Sequence, residues 1–515
     1  MPARRTLLAA LLLGGLVLPF LGRPAHVDEV NFLALAAGAR VDPWRPHAIT
    51  LNWGGHAERA FDVLSNPPGI GWWLAPVLHA PAPVQHLWIL PWLVLCTWGA
   101  HALGRRFGGD GLAGVLLLCT APLTVLAAQS LTPDLPLLAL TAAGLGGFLP
   151  AVDEGRPRAA AGWALLAGSA VLFRYSGLCI PPLLLLYALL RRKAPWPALC
   201  GFLPVALLLL HDLHAYGQLH LLAMGGFQST AGSGRELFRK LAAALAALGG
   251  AGLAPLLCLA GGRATRLRAV AGALVGLGAA VISGLDPAAG AWTVACCAAG
   301  AALLAAPFEP GGTRAERFFL GAWALGGLVF LLGLRFAAAR YWLPFLPAPA
   351  LAWLRLKPAR GLVAAAAGMQ IALALGLAVD EQAQARAQHE AAQDAIRAAG
   401  ALPGERRFAG HWGWQQALEA AGWRALEDEQ RLAPGALLAV AATPWPQQPA
   451  DGTCLEPLWA QTYPDRWPGP RAHSAAGRAN LHAYLVAGTP PLETYAPWTL
   501  ADDPRERAAL YRVCD

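Results

Sequence analysis

Two adjacent acids, Asp28 and Glu29 in His26-Val27-Asp28-Glu29, follow directly on the first apolar stretch of the chain. Carboxylates at a membrane boundary have to be solvated, paired or put to use. The plain reading is a solvated loop in which Asp28 caps the following helix; the chemical one is a general base or a metal ligand. A third acid, Asp134, stands in Leu131-Thr132-Pro133-Asp134-Leu135-Pro136 between two further apolar runs. It could equally cap the helix whose first turn holds Pro136. Arg174, Arg335 and Arg340 also sit at ends of apolar runs. A guanidinium stays charged and meets phosphate with a planar fork, so a lipid phosphate would suit these three, with snorkelling toward water as the plainer role.

The elements that must hold these groups are apolar helices. Of 515 residues, 56% are hydrophobic and 14% charged, against roughly 25% charged in soluble domains. The chain is therefore read as an α-helical polytopic membrane protein, and disordered, collagenous and disulfide-scaffold classes are excluded. Thirteen runs approach the ~20 residues of a membrane helix, beginning near Thr6, Val84, Leu112, Leu135, Ala159, Leu178, Trp196, Leu241, Ala269, Ala291, Phe318, Tyr341 and Gly361. With Arg4 and Arg5 inside, every second connection is basic, carrying 17 Lys or Arg in seven short segments. That puts the N-terminus in the cytoplasm and everything from Asp380 onward outside. The first run also fits a signal peptide, which leaves the next loop outside all the same.

The expected division is a membrane domain over 1–379 with a catalytic outer loop over 23–83, and an outer domain over 380–515. From Asp380 onward there are 12 Lys or Arg against 17 Asp or Glu, and before it 27 against 14, so the net charge of +8 belongs to the membrane half. No basic, aromatic-interleaved patch points to nucleic acid. In the tail, Asp380–Ala399 reads as a helix, and Arg406–Ala409 and Ala436–Ala442 as strands around a helix at Gln415–Ala421, giving a small α/β domain. Val30–Arg40 reads as a short interfacial helix, His211–Lys240 as a mobile loop, and Asn66-Pro67-Pro68-Gly69 as a rigid turn before Trp72 and Trp73. Seven cysteines lie in apolar stretches; Cys454 and Cys514 lie in the tail and could pair if it is outside the cytoplasm.

Over roughly Thr6 to Val379 the chain resembles the GT-C glycosyltransferases, in the branch of protein O-mannosyltransferases and lipid A aminoarabinose transferases. The resemblance rests on Asp28-Glu29 after the first span, the Pro67-Pro68 turn, the Asp134 motif, and Arg340-Tyr341 with Leu343-Pro344 and Pro347 opening a late span. It implies a GT-C fold in a bacterial inner membrane, with the tail in the periplasm. It implies inverting transfer of a hexosyl or pentosyl group from a polyprenyl-phosphate carrier to an acceptor hydroxyl of a lipid, glycan or protein. Asp28 would be the base, Glu29 and Asp134 would orient the acceptor or hold a divalent metal, and Arg340, Tyr341 and Arg174 would meet the lipid phosphate; no organic cofactor is implied. Close members carry a basic residue where this chain has Asn66, so Arg59 or Arg45 would have to substitute. His411-Trp412-Gly413-Trp414 is similar to a stretch of related bacterial members, and otherwise reads as a strand-to-helix loop packed by Trp. The rival class is a non-catalytic transporter or lipid flippase, which should carry ionisable residues near the midplane and broken helices in repeated positions. Here the acids cluster at the outer mouths.

Overall fold

The computed structural model describes residues 2–228, 234–334, 336–483, 485–486 and 495–514. It divides into two compact units. One comprises Met1–Pro19, Ile89–Leu377 and Pro470–Ala501; the other comprises Phe20–Trp88, Ala378–Gly469 and Asp502–Asp515. The expected boundary at Asp380 thus lies close to one observed division. The loop expected over 23–83, however, groups with the tail, and 470–501 groups with the apolar helices.

The first unit is mainly helical, with two short strand pairs, Phe336–Ala337 with Leu485–Val486 and His473–Ser474 with Ala479–Asn480. Among the described residues seven helices are long and apolar enough to cross a membrane, or eight if the bent pair Gly111–Cys119 and Pro122–Ala128 is one span. The chain is a multi-pass membrane protein. The other five of the thirteen expected runs fall on shorter or interrupted helical segments, such as Tyr175–Leu190 and Pro347–Arg355. Prolines and tight turns interrupt apolar runs: within the bent pair, Pro122 restarts a helix at an angle of 74° to its predecessor. A prolyl residue has no N–H to continue the ladder. His211–Lys240, expected as a mobile loop, is largely helical: Leu203–Tyr216 ends at Gly217 in the left-handed region, and His220–Gln228 and Gly234–Ala247 follow, with 229–233 outside the described residues.

Asp134–Asp153 is the best-buried of these spans. Its 20 residues rise about 30 Å at 1.5 Å each, the thickness of a bilayer core. A carboxylate stands at each end. Asp153 accepts from Arg106 Nε at 2.9 Å, from Arg191 Nε at 2.6 Å and from the Tyr187 hydroxyl at 2.9 Å, and Arg106 reaches Glu316 at 2.8 Å. The connections that the charge pattern assigned to one side therefore meet at one end of this helix.

In the second unit a five-stranded sheet runs in the order Arg424–Ala425, Arg406–Ala409, Leu437–Ala441, Glu506–Val513, Leu455–Tyr463, the first three parallel and the others antiparallel. Phe408, Leu437, Ala439 and Leu510 of the sheet bury against Trp414, Leu418 and Trp423 and against Ala391, Ala392 and Ala395 of the long helix Arg360–Ala399. Cys454 and Cys514 form a disulfide, their Cα atoms 5.3 Å apart. The helix Glu29–Val41 belongs to this unit. Gly71 lets Gly69–Leu74 approach it so closely that a Cβ would stand 2.7 Å from Leu35, and Gly413 meets the Ala25 carbonyl at a distance that leaves no room for a side chain.

Candidate active site

In the first unit Asp134 is fully buried at the first turn of its helix, after Pro133. The helix N-terminus favours a carboxylate there, but the side chain makes no cap; it binds arginine. Arg174 Nη1 donates to Asp134 Oδ1 at 2.7 Å, and Arg340 Nε lies 3.4 Å from Oδ2. Arg340 Nη1 also donates to His482 Nδ1 at 3.1 Å, and the Arg174 guanidinium stands 4.2 Å over the Tyr341 ring. Arg174 is extended between two 3-10 turns, and Gly177 allows the second turn to close, since a Cβ there would meet the Val171 nitrogen at 2.5 Å. Arg340 and Tyr341 ride on the turn Ala339–Trp342. That turn is held by the Trp342 indole N–H on the Ala244 carbonyl at 2.8 Å and by the Ala339 N–H on the Leu481 carbonyl at 3.1 Å. The second bond is what brings His482 to the cluster.

Two guanidiniums meet one carboxylate where Arg174 is 7% exposed and Asp134 not at all. Guanidiniums held with so little water around them attract an anion more strongly than they would in solution. The arrangement is suited to a phosphate.

The second unit holds the Asp28-Glu29 pair. Glu29 pairs through Oε1 with Arg23, accepts the His26 N–H on Oε2 at 3.0 Å and lies 4.0 Å from His86 Nε2. Glu381 Oε2 stands 3.3 Å from His26 Nε2 and 3.8 Å from Arg23 Nη1. Arg23, His26, Glu29, His86 and Glu381 are all buried. Val27 takes φ 48° in their midst, a left-handed conformation that costs a β-branched residue about 1–3 kcal/mol and that only surrounding contacts can enforce. Asp28 occupies the cap position of Glu29–Val41 but with helical dihedrals and no side-chain capping bond, and it is half-buried. The capping role read from the sequence is thus not the one its carboxylate plays.

The remaining expected residues divide. Asn66 is buried, its carbonyl accepting from His47 Nε2 at 2.9 Å, while its Nδ2 has no hydrogen-bond partner among the described residues. Arg59 is exposed and spends its fork on Asp62 at 2.9 and 3.0 Å, and Arg45 pairs with Asp42. Arg335 lies outside the described residues. A divalent metal on Glu29 and Asp134 does not fit these surroundings: one carboxylate is engaged by Arg23 and the other by two guanidiniums, which would repel a dication. After the Pro67-Pro68 turn, Trp73 packs with Trp88, the two exchanging indole N–H to carbonyl bonds at 3.1 and 2.8 Å. His411 connects the strand Arg406–Ala409 to the helix Trp412–Ala420; Trp414 is fully buried, and Trp412 contacts the His26 ring edge-on at 6.3 Å. Burial pushes the His411 imidazole below its usual range, against weaker opposing pulls from Gln415 and Asp428. Reading the sequence missed His482, Arg23 and Glu381. Of these only Glu381 was signalled, by the adjacent acids Asp380-Glu381 after the last span.

Residues 84–211, which include Asp134 and Arg174, match the family described as dolichyl-phosphate-mannose-protein mannosyltransferase. The protein is a membrane glycosyltransferase. No curated protein matches the chain. Among solved structures it is similar to ArnT from Cupriavidus metallidurans in the apo state, at 16% identity and a TM-score of 0.39, and to the same protein bound to undecaprenyl phosphate, at 16% and 0.41. Each likeness covers 85% of this chain and 92% of the other. The matched family segment of the transferase runs from the early helices to the middle of Leu203–Tyr216.

Proposed function

We propose that this glycosyltransferase takes its sugar from a polyprenyl-phosphate carrier and passes it, with inversion, to an acceptor hydroxyl on the periplasmic face of a bacterial inner membrane. The observation that carries the reading is the pair of arginines on Asp134, Arg174 buried and Arg340 half-buried. Arg174 and Arg340 would hold the donor phosphate, with His482 and Tyr341 beside them and Asp134 as their positioning residue. The donor is a phosphodiester with one negative charge; its product, polyprenyl phosphate, is a monoester with a second. Cations already in place where that charge develops bind the transition state better than the ground state.

Asp28 is the proposed base. The acceptor O–H gives its proton to the Asp28 carboxylate as the oxygen attacks the anomeric carbon and the bond from that carbon to the phosphate oxygen breaks. Glu29, held by Arg23 and His26, keeps the segment in place rather than taking the proton. The Asn66 amide is a further donor for the substrate, since an unmade buried hydrogen bond costs about 1–3 kcal/mol that a bound oxygen atom would recover. The sugar is left as hexosyl or pentosyl, and the acceptor as a hydroxyl of a lipid, glycan or protein.

The test is a proteoliposome or native-membrane assay of polyprenyl phosphate released from polyprenyl-phosphate sugars. Asp28→Asn should lower turnover by about 10²–10⁴-fold with donor binding retained. Undiminished turnover would remove Asp28 as base, and no release by the wild type with any such donor would overturn the polyprenyl-phosphate carrier.

A further inference from the structure

The second unit contains a cavity of about 850 Å³ whose lining includes neither Asp28 nor Glu29. Its volume lies within the ~300–1,000 Å³ of small-ligand sites. One wall is the face of Arg360–Ala399 that carries Gln382, Arg386 and Gln393; the other is the end of Leu455–Tyr463 with the Arg466-Trp467 turn. Four arginines line it, and their partners separate them into two kinds. Arg505 is spent on Asp380 and Asp465, each at 2.8 Å, and Arg397 on Asp394. Arg386 and Arg466 are exposed and make no hydrogen bond or ion pair among the described residues. Asp394 is further engaged by the Tyr463 hydroxyl at 2.6 Å, which leaves Glu390 as the wall's opposing acid.

We propose that this cavity binds an anionic saccharide, one bearing phosphate or carboxylate, as the recognition element of the acceptor. Each part of such a ligand has a counterpart in the walls. The unspent guanidiniums of Arg386 and Arg466 meet the anion with planar forks. The Trp467 ring offers a flat apolar face to sugar C–H groups, and the glutamine amides and the Thr462 hydroxyl match hydroxyls that both donate and accept. The acceptor assignment rests on the glycosyltransferase reading; the binding itself does not.

The full-length protein in nanodiscs is titrated calorimetrically with an oligogalacturonate and a hexose phosphate, with maltotriose and inorganic phosphate as controls. Binding of an anionic saccharide is expected at least tenfold tighter than maltotriose or phosphate alone. The double variant Arg386→Gln/Arg466→Gln and the single variant Trp467→Ala should each weaken it by tenfold or more. The two exposed arginines make no hydrogen bond or ion pair among the described residues, so the double variant should match the wild type in thermal stability. The proposal is overturned by an unchanged affinity in the double variant, by inorganic phosphate binding as tightly as the saccharides, or by no saccharide binding at millimolar concentration. Polyprenyl-phosphate release is followed in the same preparations. Saccharide binding without release from any polyprenyl-phosphate sugar would sink the proposed donor and leave the site standing; turnover without binding would do the reverse.

Discussion

Asp134→Asn is the perturbation that most directly probes the arginine cluster. At distances of 2.7 Å to Arg174 and 3.4 Å to Arg340, the gross attractions are about 6 and 5 kcal/mol at an effective dielectric of ~20. Desolvation offsets much of this, and removing one member of a buried pair has a net cost of about 3–5 kcal/mol. Asparagine keeps the shape and removes the charge, leaving the buried Arg174 and the half-buried Arg340 without that carboxylate. Arg174→Gln differs in kind, because it leaves Asp134 balanced by Arg340 and gives up one charge-assisted hydrogen bond, about 2 kcal/mol. Stability should therefore order as wild type, Arg174→Gln, Asp134→Asn. The double variant should be less impaired than the sum of the singles by about 1–3 kcal/mol. Unfolding of such a protein is read as the temperature that leaves half of it intact after fixed heating. For Asp134→Asn the shift should be on the order of 10 °C, by the scaling of soluble domains. Activity should respond differently: Arg174→Gln removes a donor from the phosphate where charge develops and should lower kcat about 10²–10³-fold, with a smaller change in KM. The reasoning fails if Arg174→Gln is as heat-sensitive as Asp134→Asn, or if its donor turnover stays within threefold of the wild type.

Two further outcomes follow from the second unit. The Cys454–Cys514 disulfide spans 60 residues, so Cys454→Ala or reduction should destabilise that unit by about 4 kcal/mol in the loop-entropy account; a heat-resistance curve indifferent to reductant would refute this. His411 has its pKa depressed by burial, so it folds neutral while the unfolded chain protonates it. The contribution is intact above the ordinary value of 6.5 and is lost as pH falls from there toward the folded value. Heat resistance between pH 8 and 5 should decline more steeply in the wild type than in His411→Gln, and parallel curves would exclude the effect.

The sequence by itself determined the membrane class and the helical runs, because the bilayer requires long apolar stretches whatever their partners. It also determined the elements of the tail: Arg406–Ala409 is a strand as read, and the helix read at Gln415–Ala421 forms as Trp412–Ala420, since alternation and helical periodicity are local. Asp134, Arg174, Arg340 and Tyr341 were legible as charged or aromatic groups at span ends, and the fold brings them to one point.

Their pairing was not legible. Which acid satisfies which arginine depends on helices far apart in the chain, and 40 residues separate Arg174 from Asp134. His482 is the sharpest case, since it lies in a stretch that composition assigns to the outer domain and that nevertheless groups with the apolar helices. Short or interrupted helices also escape a hydropathy count, because a proline or a 3-10 turn leaves apolarity unchanged while ending the hydrogen-bond ladder. Apolar burial is additive along the chain and can be read from it. Ion pairing depends on a few ångströms and an angle, and only the tertiary structure supplies those.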